Sequence, residues 1–299
     1  METCIVIRSA IRAIGSKFSR TRVNLRRFVD LSSHHVSKNQ LTPSVPKISI
    51  LIPTRDKPEM LENCIRSVID TTQKLDVEIV VIDNSSSENA TKKLFSKLQS
   101  QGIRVIHRPG QFNYSELCNF AVGESTGDII CFLNNDTIAT SEDWLASMAD
   151  HARFKDVGLV GAVLLYRDQT LQHVGIALGY NGLAGHPFQG SNPQECVPKE
   201  CFEVSAVTFA CAVIERKKFE LIGKLDTKFP VGFNDVDFAI RSSSLGFRNV
   251  LCTRAVLMHL ESQTRPKTQT LEGFVQALKD FVRLLIRYPQ GFVDKFFSA

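Results

Sequence analysis

The sequence predicts an α/β fold in which helices cover both faces of a mostly parallel sheet. Through the first half of the chain, short apolar segments rich in β-branched residues alternate with helical patterns. Polar residues directly follow three of these predicted strands, and parallel strands place such residues at one edge of the sheet, where ligands bind. The second half lacks the regular alternation, which predicts a mixed sheet with long loops.

The predicted elements begin at about residue 48. Strands are predicted over 48–52, 77–82, 103–107 and 128–133, with helices from 58 to 69, over 88–101 and over 115–124. Beyond residue 144, the apolar segments 157–165, 171–178 and 204–214 predict shorter strands around the glycine-rich stretch 175–190. Helices over 215–222 and 236–245, a strand ending at His259 and an amphipathic helix from about 268 complete the chain.

Charge and composition divide the chain into three parts: a basic leader and linker (1–46), a main domain (47–265) and an amphipathic tail (266–299). Residues 1–40 contain eight Lys or Arg and two acidic residues, so the other 259 residues carry a net charge of −1 out of the total of +5. The main domain therefore has no excess of positive charge to hold a phosphate backbone, and we expect no nucleic-acid partner.

The location predicted for the protein is the cytoplasm. The sequence has neither a run of 18 apolar residues nor the features of a signal peptide. Most of the cysteines lie in apolar or helical segments, which predicts reduced thiols, and Cys196 and Cys201 have no nearby ligands to complete a zinc site.

The leader and the tail each have an apolar helical face. Either face can pack against protein or lie on the inner surface of the cell membrane, where the arginines of the leader would meet anionic lipids. The Arg-rich, acid-poor leader is also compatible with an organelle transit peptide.

Leu133-Asn134-Asn135-Asp136-Thr137 follows a buried strand and presents a carboxylate at the predicted ligand-binding edge. Mg²⁺ or Mn²⁺ held by one carboxylate, a histidine and diphosphate oxygens would suit this position. An Asx turn that caps the helix at Trp144 explains the same residues without a ligand.

The neighbouring strand ends supply candidates for binding a nucleotide. Asp83 can accept hydrogen bonds from a base or ribose, and Pro53, Thr54 and Arg55 form the adjacent loop. An ordinary strand-to-helix turn is the alternative for this loop. Further along, the candidates for diphosphate and ribose contacts are Arg108, Asn113 and Asn119, although Asn113 also suits a helix N-cap.

Phe233-Asn234-Asp235-Val236-Asp237-Phe238 sets carboxylates among apolar residues at a predicted helix start. Such groups cost folding energy unless they are satisfied, and Asp235 suits a general base for a hydroxyl nucleophile. The alternative is a helix cap by Asn234 or Asp235. Asp237 can pair with Arg241 at i,i+4 and is otherwise a candidate for orienting an acceptor.

The ordered set of motifs resembles the family 2 inverting glycosyltransferases, most closely bacterial rhamnosyltransferase-like members. The resemblance covers about residues 47–265 and rests on several motifs in the family's order: Pro53-Thr54-Arg55, Asp83, Phe112-Asn113-Tyr114-Ser115, Leu133-Asn134-Asn135-Asp136, Gln172-His173-Val174-Gly175, Gly185-His186 and Phe233-Asn234-Asp235-Val236-Asp237.

The resemblance implies a Rossmann-like GT-A fold, a nucleotide-diphosphate sugar donor and a divalent cation, Mg²⁺ or Mn²⁺. It implies that Asp83 reads the base, that Asp136 and His259 bind the metal or diphosphate, and that Asp235 is the catalytic base. Asn134 replaces the first Asp of the family's metal motif, so metal binding rests more on Asp136. Arg265 lies where a basic residue of the family meets the phosphates.

Two departures from the family pattern concern the pocket. Phe209 stands where relatives often have Gly, and we expect it to narrow the acceptor side. Pro266 also replaces a Gly and is expected to stiffen a loop over the diphosphate. His173, His186 and Phe209 are predicted either to line the acceptor site or to pack in the core.

The predicted function is sugar transfer to an acceptor hydroxyl, on a glycan or a lipid-linked acceptor, in the synthesis of a polysaccharide or glycan. A non-catalytic module that binds a nucleotide sugar or glycan is the alternative from another class. A nucleotidyltransferase is less favoured, because the segment after the first strand, Pro53-Thr54-Arg55-Asp56, contains no glycine for a phosphate-binding loop.

Overall fold

Strands and helices alternate through the first half of the chain, as the sequence predicts. The computed structural model describes residues 46–180, 184–260, 271–289, 291 and 294–297. The first half consists of β1 (Ile48–Thr54), α1 (Pro58–Thr72), β2 (Val77–Asp83), α2 (Asn89–Ser100), β3 (Arg104–His107), α3 (Tyr114–Glu124) and β4 (Ile129–Leu133). Each predicted element of this half is present, with boundaries shifted by a few residues.

The second half is mixed and has more strands than the sequence predicts. Its elements are β5 (Thr137–Ala139), α4 (Trp144–Ala152), β6 (Val157–Leu165), β7 (Leu171–His173), β8 (Ala177–Leu178), β9 (Ala184–Gly185), α5 (Pro193–Cys196), β10 (Phe202–Val204), β11 (Cys211–Glu215), α6 (Arg216–Ile222), α7 (Asn234–Ser244), β12 (Arg248–His259) and α8 (Leu271–Arg287). The β segment predicted over 171–178 and the apolar segment 204–214 are each divided between two strands. Gly175, at φ 107°, adopts a left-handed conformation that interrupts the first of them.

Ten of the described strands form one sheet around a parallel centre. Its main path runs β10-β12-β6-β11-β4-β1-β2-β3, with β5 paired to β12 and β7 paired to β6. The pairs β4/β1, β1/β2 and β2/β3 are parallel, whereas β11 is antiparallel to both of its neighbours. Buried apolar clusters lie on both faces, so the prediction of a sheet covered on each side is confirmed.

The C-terminal helix α8 packs against the rest of the domain. Leu284 is fully buried, and Arg287 and Tyr288 both donate hydrogen bonds to Asp237 of α7. The opposite side of the helix exposes Val275, Leu278, Val282, Leu285 and Ile286. Of the two alternatives for the tail, packing on the domain is therefore present.

Residues 1–45, Arg265 and Pro266 lie outside the described part of the chain, and so do the predictions made for them. Among the described helices, none combines the length and the apolarity needed to cross a bilayer.

Candidate active site

Strand register brings Asp136 next to His259. Asp136 lies just before β5, which pairs with the end of β12 so that Thr137 is opposite His259. The Leu260 N–H also donates to the Asp136 carbonyl at 2.9 Å. Two side chains that are more than 120 positions apart in sequence therefore meet at the carboxyl ends of β4 and β12.

The carboxylate and the imidazole face each other without a hydrogen bond. Asp136 Oδ1 lies 3.1 Å from His259 Nε2, and both atoms are buried without a hydrogen-bond partner among the described residues. Gln172 Oε1 accepts from His259 Nδ1 at 2.6 Å, and Gln172 Nε2 donates to the His259 carbonyl at 3.2 Å. Because Nδ1 carries the proton, the lone pair of Nε2 points towards the carboxylate.

This pair fits a hard divalent cation. Burial of an ionised carboxylate oxygen without a partner is costly, and a bound cation removes that cost. Neighbouring ligands of an octahedral ion with bonds of about 2.1 Å lie about 3.0 Å apart, close to the separation found here. Burial raises the pKa of the nearby Cys64 thiol to about 12, and its Sγ donates to the Asn134 carbonyl at 3.5 Å.

The ends of β1 and β2 form the adjoining wall. Asn135 donates to the Thr54 hydroxyl at 2.8 Å, and both residues are buried, as is Pro53, whereas Arg55 is exposed. Asp83 accepts from the Ser86 N–H through Oδ1 and lies 2.7 Å from His107 Nδ1 through Oδ2. Asp83 is thus at the predicted edge, with His107 as an exposed partner.

Backbone strain concentrates at these strand ends. Asp56, Lys57 and Ser85 all have φ between 53° and 64°, a left-handed conformation that is uncommon for residues other than glycine. Asp56 Oδ1 accepts from the Ser87 and Glu88 N–H groups, which holds the two loops together. Strain of this kind clusters at functional sites, where the surrounding structure stabilises it.

Asn113 and Asn119, two of the three residues predicted to contact diphosphate and ribose, form hydrogen bonds that join α3 to the loop beyond α6. Asn113 is the N-cap of α3, the alternative predicted for it, and its amide nitrogen donates to the Thr227 carbonyl. Asn119 bonds the backbone of Leu225 through both amide atoms. The sequence could not show the contacts with Thr227 and Leu225, because these residues are more than 100 positions away.

Arg108 lies at the surface. Its guanidinium pairs with Glu116 at 3.0 Å and lies over the ring of Phe120 at 4.8 Å. Such an exposed pair contributes little to stability and can be exchanged for another anion.

Of the acceptor candidates, His173 and His186 lie together. His173 Nδ1 is 2.8 Å from His186 Nδ1, and His173 Nε2 accepts weakly from the Thr208 N–H at 3.4 Å. Burial, followed by the charges of His186 and His259, holds the pKa of His173 well below its usual value, so this ring is neutral. The neutral ring can donate its Nδ1 proton to His186.

Phe209 packs in the core, which is the alternative predicted for it. Its ring contacts Phe132 of β4 at 4.9 Å and Phe238 of α7 at 5.7 Å between centroids. The Tyr114 hydroxyl donates to the Phe209 carbonyl at 2.9 Å. Phe209 therefore links the strand that leads to Asp136 with the helix that begins beside Asp235.

The carboxylates of α7 have different surroundings. Asp235 is half-buried in the first turn, and its Oδ1 accepts from the Val236 N–H at 2.9 Å. The preceding Phe233 has φ 60°, a costly conformation for an aromatic residue, which turns the chain sharply into the helix. Asp235 thus lies in the first turn, at the positive end of the helix dipole.

Asp237, by contrast, is fully buried and bonded on both oxygens. Arg241 donates to Oδ2 at 3.0 Å, and Arg287 and Tyr288 donate to Oδ1 at 2.7 and 2.9 Å. The predicted i,i+4 pair with Arg241 is confirmed. These contacts place Asp237 in the α7–α8 interface rather than in an open pocket.

The sequence did not assign roles to Gln172, His107, Arg287 or Tyr288. Gln172 belongs to the motif Gln172-His173-Val174-Gly175, and this membership was the sequence signal that could have pointed to it. The partnership of Asp83 with His107 was readable from parallel pairing, since both residues end adjacent strands. The contacts of α8 with Asp237 had no sequence signal, because periodicity shows that a helix has an apolar face but does not show what covers it.

The family model described as glycosyl transferase family 2 matches residues 49–223. An uncharacterised protein, y4gI, of Sinorhizobium fredii is 36% identical over 234 residues, which are 76% of this chain and 26% of that protein. The O-antigen biosynthesis protein RfbC of Myxococcus xanthus is 30% identical over 226 residues, which are 74% of this chain and 18% of RfbC. The chain thus spans about a quarter or less of the length of these two relatives.

A shorter match involves the GalNAc(5)-diNAcBac-PP-undecaprenol beta-1,3-glucosyltransferase of Campylobacter jejuni, which is 31% identical over 96 residues, or 31% of this chain and 30% of that protein.

Two solved structures share the fold at low sequence identity. GalNAc-T7, solved with UDP, GalNAc and Mn²⁺, aligns with a TM-score of 0.65 at 16% identity over 82% of this chain and 48% of its own. The mannosyltransferase PcManGT of Pyrobaculum calidifontis, in complex with GDP-Man and Mn²⁺, aligns with a TM-score of 0.59 at 14% identity over 94% of this chain and 74% of its own. Since the family match covers more than half of the 299 residues, the chain belongs to glycosyl transferase family 2 and has a GT-A fold.

Proposed function

We propose that this chain transfers a sugar from a nucleotide-diphosphate donor to an acceptor hydroxyl, with inversion at the anomeric carbon. The observation that carries the proposal is the pair of buried, unpartnered atoms, Asp136 Oδ1 and His259 Nε2, at 3.1 Å. Two such atoms lower the stability of the fold when no ligand is bound. A cation that binds both of them, together with a phosphate, would remove this cost.

On this proposal, Asp136 and His259 hold Mg²⁺ or Mn²⁺, which would neutralise charge on the diphosphate as it leaves. The presence of Mn²⁺ with a nucleotide or nucleotide sugar in both solved neighbours supports the choice of ion and donor. Gln172 accepts from the other ring nitrogen of His259 and so orients the ring, as hydrogen-bond partners of metal-binding histidines do.

The donor lies along the ends of β1, β2 and β4 in this proposal. Asp83, with His107, reads the base or ribose, and Thr54 with Asn135 shapes the wall beside it. Arg55 and Arg108 are exposed cations at the same edge, available to phosphate oxygens. Arg265 is proposed for the same role on the strength of the family resemblance alone.

Asp235 is the proposed catalytic base. Its carboxylate takes the proton of the acceptor hydroxyl while the hydroxyl oxygen forms a bond to the anomeric carbon on the face opposite the diphosphate. The bond from that carbon to the diphosphate oxygen breaks, and the electron pair leaves with the nucleoside diphosphate. His173 and His186 are proposed to contact the acceptor, since they lie near His259 and His186 is accessible.

The acceptor is proposed to be a glycan or a lipid-linked saccharide in polysaccharide synthesis. The printed functions of the O-antigen protein of M. xanthus and of the undecaprenol-linked glucosyltransferase of C. jejuni support this class. The seven described cysteines are free thiols, which supports a reducing, cytoplasmic location. A peripheral position on the inner face of the cell membrane remains part of the proposal.

The test is a donor screen followed by one substitution. Released nucleoside diphosphate identifies the donor, and Asp235→Asn is then expected to lower the transfer rate about 10²–10⁴-fold while leaving the donor dissociation constant unchanged. Asp150→Asn, in an exposed position on α4, is the matched control and should keep full activity. An Asp235→Asn protein with the wild-type rate would exclude the assignment.

A further inference from the structure

A cluster of one histidine and two cysteines lies outside the candidate active site. His151 is in the last turn of α4, Cys201 directly precedes β10, and Cys252 lies in β12. One ligand atom from each of them, a ring nitrogen and two sulfurs, lies within 4.8 Å of the other two. Three separate elements thus bring metal-ligating groups to one point.

The two cysteines meet through strand register. β10 is antiparallel to β12 with Phe202 opposite Leu251, and continuing that register by one residue places Cys201 opposite Cys252. Side chains of directly opposite residues lie on the same face of a sheet. The juxtaposition of the sulfurs is therefore fixed by the backbone of the sheet.

His151 is oriented as a ligand. Its Nδ1 lies 2.7 Å from the Ser147 carbonyl oxygen, which can only accept, so Nδ1 carries the proton. The nitrogen with a lone pair is then Nε2. An Nδ1–H bonded to a backbone carbonyl is the usual second contact of a metal-binding histidine, since it fixes both the tautomer and the ring orientation.

The charge of the site is compatible with a divalent ion. Arg254 is a neighbouring cation of the His151 ring. Two thiolates bound to a divalent ion leave no net charge at the site, so a cation of this charge is tolerated beside Arg254.

We propose that His151, Cys201 and Cys252 bind a zinc ion that fixes β10 and α4 to β12. Nitrogen and sulfur donors are the ligands of zinc, and such ligands in a tetrahedral site lie about 3.5–3.8 Å apart, within reach of small side-chain rotations here. Water at a fourth position completes the coordination, because His151 and Cys201 are only partly buried.

The place of the cluster in the sheet indicates the effect of a bound ion. β10 has three residues and lies at the end of the sheet, with β12 as its partner among the described strands, so its own hydrogen bonds hold it weakly. The register of β12 shifts between Cys252 and Val256, just before the segment that carries His259. A metal at Cys252 fixes the strand on the near side of this irregularity. The inference does not depend on the proposed function.

The test measures zinc in the purified full-length chain. Protein prepared with a reducing agent and zinc is desalted, and its metal content is determined by elemental analysis and native mass spectrometry. We expect one zinc per chain in the wild type and its loss in Cys201→Ser. Cys196→Ser is the matched control, because Cys196 is a cysteine of the same segment outside the cluster. Asp136→Asn should also retain the zinc, which distinguishes this site from the one at the strand ends.

Two further readouts make the result decisive. A zinc chelator is expected to lower the melting temperature of the wild type and of Cys196→Ser by several degrees, and to leave Cys201→Ser unchanged. Cobalt in place of zinc should give the sulfur-to-metal charge-transfer absorption in the wild type, a measurement that needs no variant. Failure to retain zinc, retention of zinc by Cys201→Ser, or an intact mass two hydrogens lower from a Cys201–Cys252 disulfide would each overturn the proposal.

Discussion

The strand-end site around Asp136 and the α7–α8 contact around Asp237 both bury an aspartate, yet their carboxylates are treated in opposite ways. Asp237 is fully buried and accepts hydrogen bonds from Arg241, Arg287 and Tyr288. Asp136 is 4% exposed, and its Oδ1 lies 3.1 Å from His259 Nε2 without a hydrogen bond.

On the proposed function, the difference separates a structural carboxylate from one that binds a ligand. A buried charge that is paired and hydrogen-bonded holds elements together, whereas one left unpartnered is tolerated only where a ligand supplies what is missing. Substitution of the two residues should therefore have opposite consequences: one for catalysis without loss of stability, the other for stability.

Asp136→Asn gives the largest expected effect. On the proposed function, the substitution removes a ligand of the cation and should lower the transfer rate about 10³-fold, because stabilisation of a leaving diphosphate is worth several kcal/mol. In EDTA, the melting temperature should stay the same or rise, since the substitution removes an unpaired buried charge. Asp150→Asn, at an exposed position on α4, is the comparison for activity. A large fall in the melting temperature of metal-free Asp136→Asn would make the carboxylate structural and break the contrast.

Asp237→Asn should act on stability. Two arginines then face a neutral amide in the interface, and we expect a loss of about 3 kcal/mol in the free energy of unfolding, measured by urea denaturation. Asp226→Asn is the matched control. Asp226 pairs with the same Arg287 at 2.8 Å but is less buried, so about 1 kcal/mol is expected. Equal losses in the free energy of unfolding for the two variants would show that the deeper burial of Asp237 does not increase its contribution to stability.

The sequence predicted one side of this contrast better than the other. The position of Asp136 follows from strand alternation, because any residue just after a central parallel strand lies at the ligand-binding edge. Its nearness to His259 depended on the pairing of β5 with β12, and a three-residue strand has too little pattern to be predicted. The resemblance to the family, and not the strand pattern, predicted that Asp136 and His259 act together.

Asp237 shows why the remainder was not predictable. Spacing alone gave the bond to Arg241, since i,i+4 positions are neighbours on a helix. The bonds to Arg287 and Tyr288 join residues 50 and 51 positions apart and arise from packing of α8. Long-range packing also decided the roles of Asn113 and Asn119, whose partners lie in the 225–227 loop. Local pattern carries no information about such contacts.

Tyr288→Phe sharpens the contrast within the Asp237 site. The substitution removes one neutral donor at 2.9 Å and leaves both arginines in place, so a loss of about 1–2 kcal/mol is expected. A double-mutant cycle with Asp237→Asn should return most of this energy as coupling, because the hydroxyl acts through that carboxylate. Additive losses in the cycle would mean that the ring, and not its hydroxyl, stabilises α8.

Glu78 offers a third kind of carboxylate, half-buried, with neutral donors on Oε1 and Arg104 3.5 Å from Oε2. Burial alone would raise the pKa of Glu78, but hydrogen bonds from Ser49 and from the Thr126 backbone and hydroxyl outweigh it and lower the pKa to about 2 from its usual 4.5. Since the folded-state pKa is the lower one, the ionised form stabilises the fold above pH 4.5, and this contribution is lost as the pH falls from 4.5 towards 2.

Glu78→Gln should therefore cost on the order of 1–2 kcal/mol at neutral pH, after allowance for solvent screening, and progressively less below pH 4.5. Urea denaturation across this pH range measures the difference between variant and wild type. Glu62→Gln is the control, because its exposed pair with Lys97 should contribute little at any pH. A difference between Glu78→Gln and wild type that does not change with pH would show that the shape of the side chain, and not its charge, fills the site. The donors on Oε1 and the longer contact with Arg104 would then be insufficient to make this carboxylate stabilising, and the full burial of Asp237 between two hydrogen-bonded arginines would be the feature that separates it from Glu78 and Asp136.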